Sequence, residues 1–360
     1  MNISNAVAPG DMEQSRPPRF CSLTGFVAMF RPSCLAALAL LWISLSSTTA
    51  KAAPYYAGVA RITIADAASQ TNAFIWYPTT VPEVPWHAGP FEIAASQGAP
   101  VAQGRFPLVL LSHGLRGGPL SHRDLSIHLA REGFIVVAPT HFEDAAGQPL
   151  ANKFSKVLMA RPREAILALD AVLEDQRFVS HADPFRIGMI GYSAGGYTGL
   201  VLAGAKPDIA LAAAYCEADG RNDTGSCGRA RDTSVWMPDE FKSWQPPSEP
   251  PLKALVLLDP LAMMFDAKGL AAVKMSVLLY RPQDDIYMKS GANALALASN
   301  LPLAPQVSIV PGRHFVFVNS CPEKIAAEAV MICHDEPGID RVAIQRELAS
   351  EISAFLKKNL

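Results

Sequence analysis

Phe185-Arg186-Ile187-Gly188-Met189-Ile190-Gly191-Tyr192-Ser193-Ala194-Gly195-Gly196 is the stretch on which the fold turns. Residues 185–190 form an apolar run that reads as a buried strand. The small residues from Gly196 to Ala203 suit a helix. Between them, Gly191-x-Ser193-x-Gly195 predicts a tight strand-to-helix turn with the serine at its apex. The glycines are a steric requirement, because a Cβ at either flanking position collides with the neighbouring strand or helix. A serine held this way exposes Oγ at a helix N-terminus, where developing negative charge is stabilised.

The surrounding pattern repeats strand and helix. Residues 59–64 and 73–77 read as an antiparallel edge hairpin, and the Pro- and Gly-rich residues 78–104 as loop. Residues 106–111 and 134–138 read as buried strands with a helix, 125–131, between them. Pro162 is expected to start a helix that carries Ala165, Ile166, Leu169, Val172 and Leu173 at helical spacing. Beyond the elbow, 252–258, 274–280 and 306–310 read as strands, with helices at 295–301 and 342–356. Alternation of this kind predicts a doubly wound, mostly parallel α/β sheet over residues 53–360. Residues 217–251 break the rhythm with Gly220, Gly225, Gly228 and five prolines around Trp236, Met237, Phe241 and Trp244. This insertion is expected to form a cap whose aromatics line a substrate pocket.

With 31 basic and 33 acidic residues among 360, the net charge is −2, which gives no electrostatic case for a nucleic-acid partner. Residues 1–52 read as a leader rather than fold. The apolar core Leu35–Ile43 follows Arg31 and precedes Ala50-Lys51-Ala52, a small-residue cleavage pattern. Met29 would open a leader of ordinary proportions. The expected location is periplasmic or secreted, with membrane contact only in transit. Four cysteines follow the leader, and an oxidising compartment favours pairing them. The sequence-local pairing, Cys216–Cys227 and Cys321–Cys333, closes two loops of about a dozen residues, each worth roughly 3 kcal/mol in the chain-entropy model. No C-x-x-C spacing is present, so no metal site is expected.

A serine hydroxyl needs a general base and a third group that orients the base. In this elbow context the order along the chain is Ser, acid, His. Of the histidines after Ser193, His314 directly follows the 306–310 strand at the ligand-binding edge of the sheet, whereas His334 follows Cys333. His314 is therefore the expected base. The acid stays open: Asp285 is the first choice, Asp259 at the end of the preceding strand is the alternative, and Asp284 is the third. The oxyanion donors are expected to be the backbone amides of Leu115 and Ala194. His113, which precedes the serine, is expected to be structural.

The residues that carry this pattern are Leu111-Ser112-His113-Gly114-Leu115, Gly191 to Gly196, Leu258-Asp259-Pro260, Gly312-Arg313-His314-Phe315, and the tail from Cys321-Pro322 to Cys333-His334-Asp335-Glu336-Pro337. With them the chain resembles the α/β-hydrolase superfamily over its mature length. More narrowly it looks like the bacterial predicted dienelactone hydrolase group, which is similar to platelet-activating-factor acetylhydrolases. The resemblance implies a serine carboxylester hydrolase that needs no cofactor and acts on a small-molecule ester. Dienelactone hydrolases proper use a cysteine where this chain has Ser193. A peptidase or acyltransferase on the same triad is the alternative, and a non-catalytic hydrolase-fold binding protein is the rival from another class.

Overall fold

Alternation along the strands sets the two faces of the sheet. In the second strand Ala73, Ile75 and Tyr77 enter one apolar cluster, while Phe74 and Trp76 enter another on the opposite face. Leu108 and Leu110 divide from Val109 and Leu111 in the same way. Both faces are therefore covered, as a mostly parallel sheet requires.

The computed structural model describes residues 55–65, 70–142, 144–146, 154–228, 241 and 243–360. The expected leader, including Met29, lies outside the described residues, as do Trp236 and Met237 of the expected cap. The chain runs through β1 (Tyr56–Ala65), β2 (Gln70–Thr79), β3 (Trp86–Ala88), β4 (Phe91–Ile93), β5 (Ser96–Gln97), β6 (Phe106–Ser112), α1 (Arg123–Arg131), β7 (Ile135–Pro139) and α2 (Phe154–Glu174). It continues with β8 (Ala182–Tyr192), α3 (Ala194–Leu202), α4 (Ile209–Glu217), α5 (Thr224–Cys227), β9 (Leu252–Leu258) and β10 (Ser276–Pro282). The last elements are α6 (Ala294–Asn300), β11 (Gln306–Val310), α7 (Glu323–Ala326), α8 (Val330–Cys333) and α9 (Arg341–Asn359).

The main sheet has the order β11-β10-β9-β8-β6-β7-β2-β1-β5. Its pairings are parallel from β11 to β7, and β2 lies antiparallel to both β7 and β1. This is the doubly wound sheet the alternation predicts. One face is covered by α2 and α3, through Val157, Leu158, Ala165, Leu169, Leu200 and Val201. The other is covered by α1 and α9, through Ile127, Leu129, Leu348, Ile352 and Leu356.

Several local expectations need correction. The long helix α2 begins at Phe154, so Pro162 lies inside it rather than at its start. The buried stripe of Phe154, Val157, Leu158, Arg161, Ala165, Leu169 and Val172 crosses the proline, and burial of that face outweighs the one missing N–H. Phe185 is not a core residue; it is 76% exposed. The β6–β8 pairing jumps from Pro107↔Asp183 to Leu108↔Ile187, and the intervening Pro184, which has no N–H to donate, is thrown out of the ladder together with Phe185. The region read as loop, 78–104, holds the short hairpin β3–β4 and the parallel strand β5. Of the expected cap, Phe241 is buried and meets Trp244 edge to face at 5.2 Å, and both pack on the main core.

Candidate active site

The elbow is built where β8 hands over to α3. Ser193 takes φ 52° and ψ −117°, in the left-handed half of the map that side chains avoid. Four backbone hydrogen bonds hold it there: Ser193 N–H donates to Leu258 O (3.0 Å), and Ser193 O accepts from Gly196 N–H (2.8 Å), Leu261 N–H (2.9 Å) and Tyr197 N–H (3.4 Å). The flanking glycines are required by backbone rather than side chains. A Cβ at Gly191 would stand 2.2 Å from Gly195 O, and one at Gly195 would stand 1.9 Å from Ser112 O. Gly196 admits Pro260, whose Cβ would lie 2.4 Å from an added methyl.

The neighbouring strand supplies a carboxylate. Tyr192 of β8 pairs with Leu258 of β9, so Ser193 and Asp259 leave adjacent strand ends at one edge of the sheet. Asp259 also has positive φ, 42°, and donates its N–H to Tyr280 O at 2.8 Å. His314 opens a short 3-10 turn, His314–Phe317, after β11. Its Nδ1 meets Asp259 Oδ2 at 2.5 Å, with the two residues 2% and 0% exposed. Burial pushes the Asp259 carboxyl above its ordinary value, and the bond and charge of His314 draw it part of the way back. Within the described residues no hydrogen bond joins Ser193 Oγ to the His314 ring. Such contacts are often long without substrate and tighten in the bound complex.

The structure thus brings Asp259, and not Asp285, to the imidazole. Asp285 Oδ2 accepts the Ser290 N–H at 2.7 Å and closes a turn. Burial raises its carboxyl, but the bonds from Ser290 outweigh that and hold it below the usual carboxylate range. Asp284 pairs with Arg313 Nε at 2.8 Å, beside His314 in sequence but outside the buried pair. The physical reason is strand adjacency: β9 lies next to β8, while β10 is one strand further away.

Two aromatic rings were not expected from the sequence. The rings of Tyr192 and Tyr287 both pack against the His314 ring, at centroid distances of 4.9 and 4.8 Å and tilts of 32° each. The Tyr192 hydroxyl donates to His314 O at 3.1 Å. The only hint in the sequence is that Tyr192 occupies the variable position before the serine, and nothing marks Tyr287.

The expected oxyanion loop comes close to the elbow. A Cβ on Gly114 would lie 3.3 Å from Ser193 Cβ and 2.8 Å from the Tyr192 ring, so only glycine admits this approach. Ala194, as the first residue of α3, has no intrahelical acceptor for its N–H. Among the described residues, Leu115 N–H has no backbone acceptor either. His113 is fully buried and bonds Gly114 O through Nδ1 at 2.7 Å. Burial and the nearby His141 and Arg161 push its pKa well below the usual histidine value, so the ring is neutral. Cys216 pairs with Cys227 and Cys321 with Cys333, at Cα separations of 5.5 and 5.4 Å.

Comparison with known proteins gives two findings. A family model described as Chlorophyllase matches residues 90–216, which include the oxyanion loop and elbow but neither Asp259 nor His314. Among solved structures, a ferulic acid esterase from Streptomyces cinnamoneus is similar in fold, with a TM-score of 0.51 and 18% sequence identity over 85% of this chain and 91% of that one. No curated protein matches the chain. The fold is that of the α/β-hydrolases.

Proposed function

We propose that this protein is a carboxylic ester hydrolase that works through Ser193, His314 and Asp259. The observation that carries the reading is the buried Asp259–His314 bond, formed one strand end away from a strained Ser193. In this reading His314 takes the Ser193 proton as Oγ attacks the ester carbonyl, and Asp259 orients the ring and stabilises the resulting cation. The Tyr192 and Tyr287 π faces add to that stabilisation, because a ring face attracts a cation. The amides of Leu115 and Ala194 hold the oxyanion. His314 then protonates the leaving alcohol, and a water activated by the same ring releases the acyl group.

The substrate is a small-molecule ester. The kinds of protein found by comparison support that class, as their descriptions name a chlorophyllase and a ferulic acid esterase. The acid after β9, within Leu258-Asp259-Pro260, favours kinship with the acetylhydrolase-like group over hydrolases whose acid follows the next strand. Two disulfides accord with residues 1–52 serving as an export leader into an oxidising compartment.

Ser193→Ala is expected to lower kcat on nitrophenyl esters by on the order of 10⁶, as for triads that act as a unit. It should also abolish labelling by a fluorophosphonate. Wild-type turnover or undiminished labelling in that variant would overturn the proposal.

A further inference from the structure

An oxyanion hole works only if its donors are in position before the substrate arrives. One buried guanidinium reaches both the loop that carries one donor and the helix turn that carries the other. Arg161, on α2, is 0% exposed and forms an ion pair with Asp144, which is 1% exposed. Nη2 donates to His113 O, and also to Ser112 Oγ at 3.3 Å. Nε donates to Thr198 Oγ1 at 3.2 Å.

On the loop side, every peptide group around Leu115 N–H is anchored. His113 O is held by Arg161. Gly114 O takes His113 Nδ1–H at 2.7 Å and Gly117 N–H at 3.0 Å. Arg116 N–H donates to Asp144, to Oδ1 and to the backbone carbonyl, each at 3.0 Å. The C=O and N–H of one trans peptide point in opposite directions. Fixing Gly114 O therefore fixes the direction of Leu115 N–H. On the elbow side, the peptide that carries Ala194 N–H is fixed through Ser193 O by Gly196 and Leu261 N–H, and Thr198 Oγ1 ties down the next peptide of the same helix turn by donating to Ala194 O at 3.1 Å. That bond uses the hydroxyl's single proton, so Arg161 holds the oxygen through a lone pair.

The same helix supports the loop a second time. Glu164, one turn beyond Arg161, accepts from His141 Nδ1 at 2.8 Å, and His141 Nε2 accepts the Ser112 hydroxyl at 2.8 Å. A buried ion pair is a costly way to fill this space, and apolar residues of similar volume would often be more stable. What the guanidinium adds is direction, through several fixed donors in one plane.

We propose that Arg161 is a positioning residue that braces both halves of the oxyanion hole, the Leu115 loop through His113 and Asp144 and the elbow helix through Thr198. This rests on the ester-hydrolase reading. It is tested in the full-length chain with Thr198→Val, which cuts only the tether to the elbow, and with Arg161→Lys, which keeps the charge but loses the fork. Melting temperature, kcat, KM for nitrophenyl butyrate and the inhibition constant of an alkyl boronic acid, which binds as a tetrahedral adduct, are measured together. Thr198→Val should lower kcat about tenfold, and Arg161→Lys about 10²-fold, with KM within about twofold. Boronate affinity should fall by the same factors, with the remaining enzyme folded. Wild-type kcat in folded Thr198→Val or Arg161→Lys overturns the inference, and so does a loss that follows KM or the folded fraction alone. Where Arg161→Lys does not fold, Thr198→Val decides. Ser193→Ala run alongside separates the two claims: activity surviving there defeats the hydrolase reading, while its loss together with unaltered brace variants defeats only this one.

Discussion

Asp259 shows how a site residue can work against the fold that holds it. Its carboxyl is wholly buried, one oxygen bonds His314, and Oδ1 has no partner among the described residues. Because burial raises its pKa in the folded state, folding favours the protonated form. Stability from this residue is full below the unfolded carboxylate value and declines as pH rises through the folded one. Asp259→Asn removes a buried charge, so the denaturation midpoint at pH 7 should rise while kcat falls by about 10³–10⁴-fold. Asp285 has the opposite sign. Its folded pKa is lowered, so its contribution is present above the unfolded value and lost as pH falls. Asp285→Asn keeps an acceptor for Ser290 N–H and should leave kcat within about twofold of wild type. Steady-state kinetics and urea denaturation of the two variants, side by side, check both halves. Comparable losses of kcat in the two would place the acid elsewhere.

At the scale of elements, the β8–α3 elbow depends on backbone meeting backbone. A methyl at Gly195 would overlap Ser112 O, which belongs to the central strand β6 and cannot move without disturbing the ladder to Gly191. Gly195→Ala is therefore expected to cost about 3 kcal/mol or more, read as a lowered urea midpoint, with esterase activity lost beyond the change in folded fraction. A near-wild-type midpoint would show that α3 can slide. The elbow was legible in the sequence because its glycines, serine and flanking apolar runs are contiguous. The start of α2 was not, because the preference of proline for a first turn is local, whereas the buried stripe continuing back to Phe154 is rewarded only by the sheet it covers. The exposure of Phe185 was hidden for a similar reason: a bulge is a mismatch between two strands and cannot be read from one.

The whole molecule carries several histidines that burial keeps neutral. His122 is pushed down to about 4, mainly by burial, against a weaker upward pull from its bond to Phe317 O. His113 and His141 are also driven well below their ordinary value, first by burial and then by neighbouring charges that include Arg161. Between the unfolded histidine value of 6.5 and the folded value of about 4, the unfolded chain binds a proton at His122 that the native chain refuses. Stability therefore falls as pH falls through that window. For His122 alone the loss by pH 4 is on the order of 3 kcal/mol. The melting temperature should drop steeply from pH 6.5 to 4, and His122→Gln should flatten part of that slope. A profile unchanged by the substitution would mean that the ring is hydrated in the native state.

The sequence by itself determined the main alternation of long strands and helices, the Gly-x-Ser-x-Gly turn between β8 and α3, and a cysteine spacing that favours two short loops. Each of these is a property of neighbours along the chain, or of composition. Only the tertiary structure decided which aspartate meets His314, which rings pack on it, and that one arginine in a distant helix touches both the oxyanion loop and the elbow helix. Those contacts join residues 55, 122 and 48 positions apart, as in His314 with Asp259, Tyr192 with His314, and Arg161 with His113. Strand order across the sheet sets them, and it brings β9, rather than β10, beside the elbow.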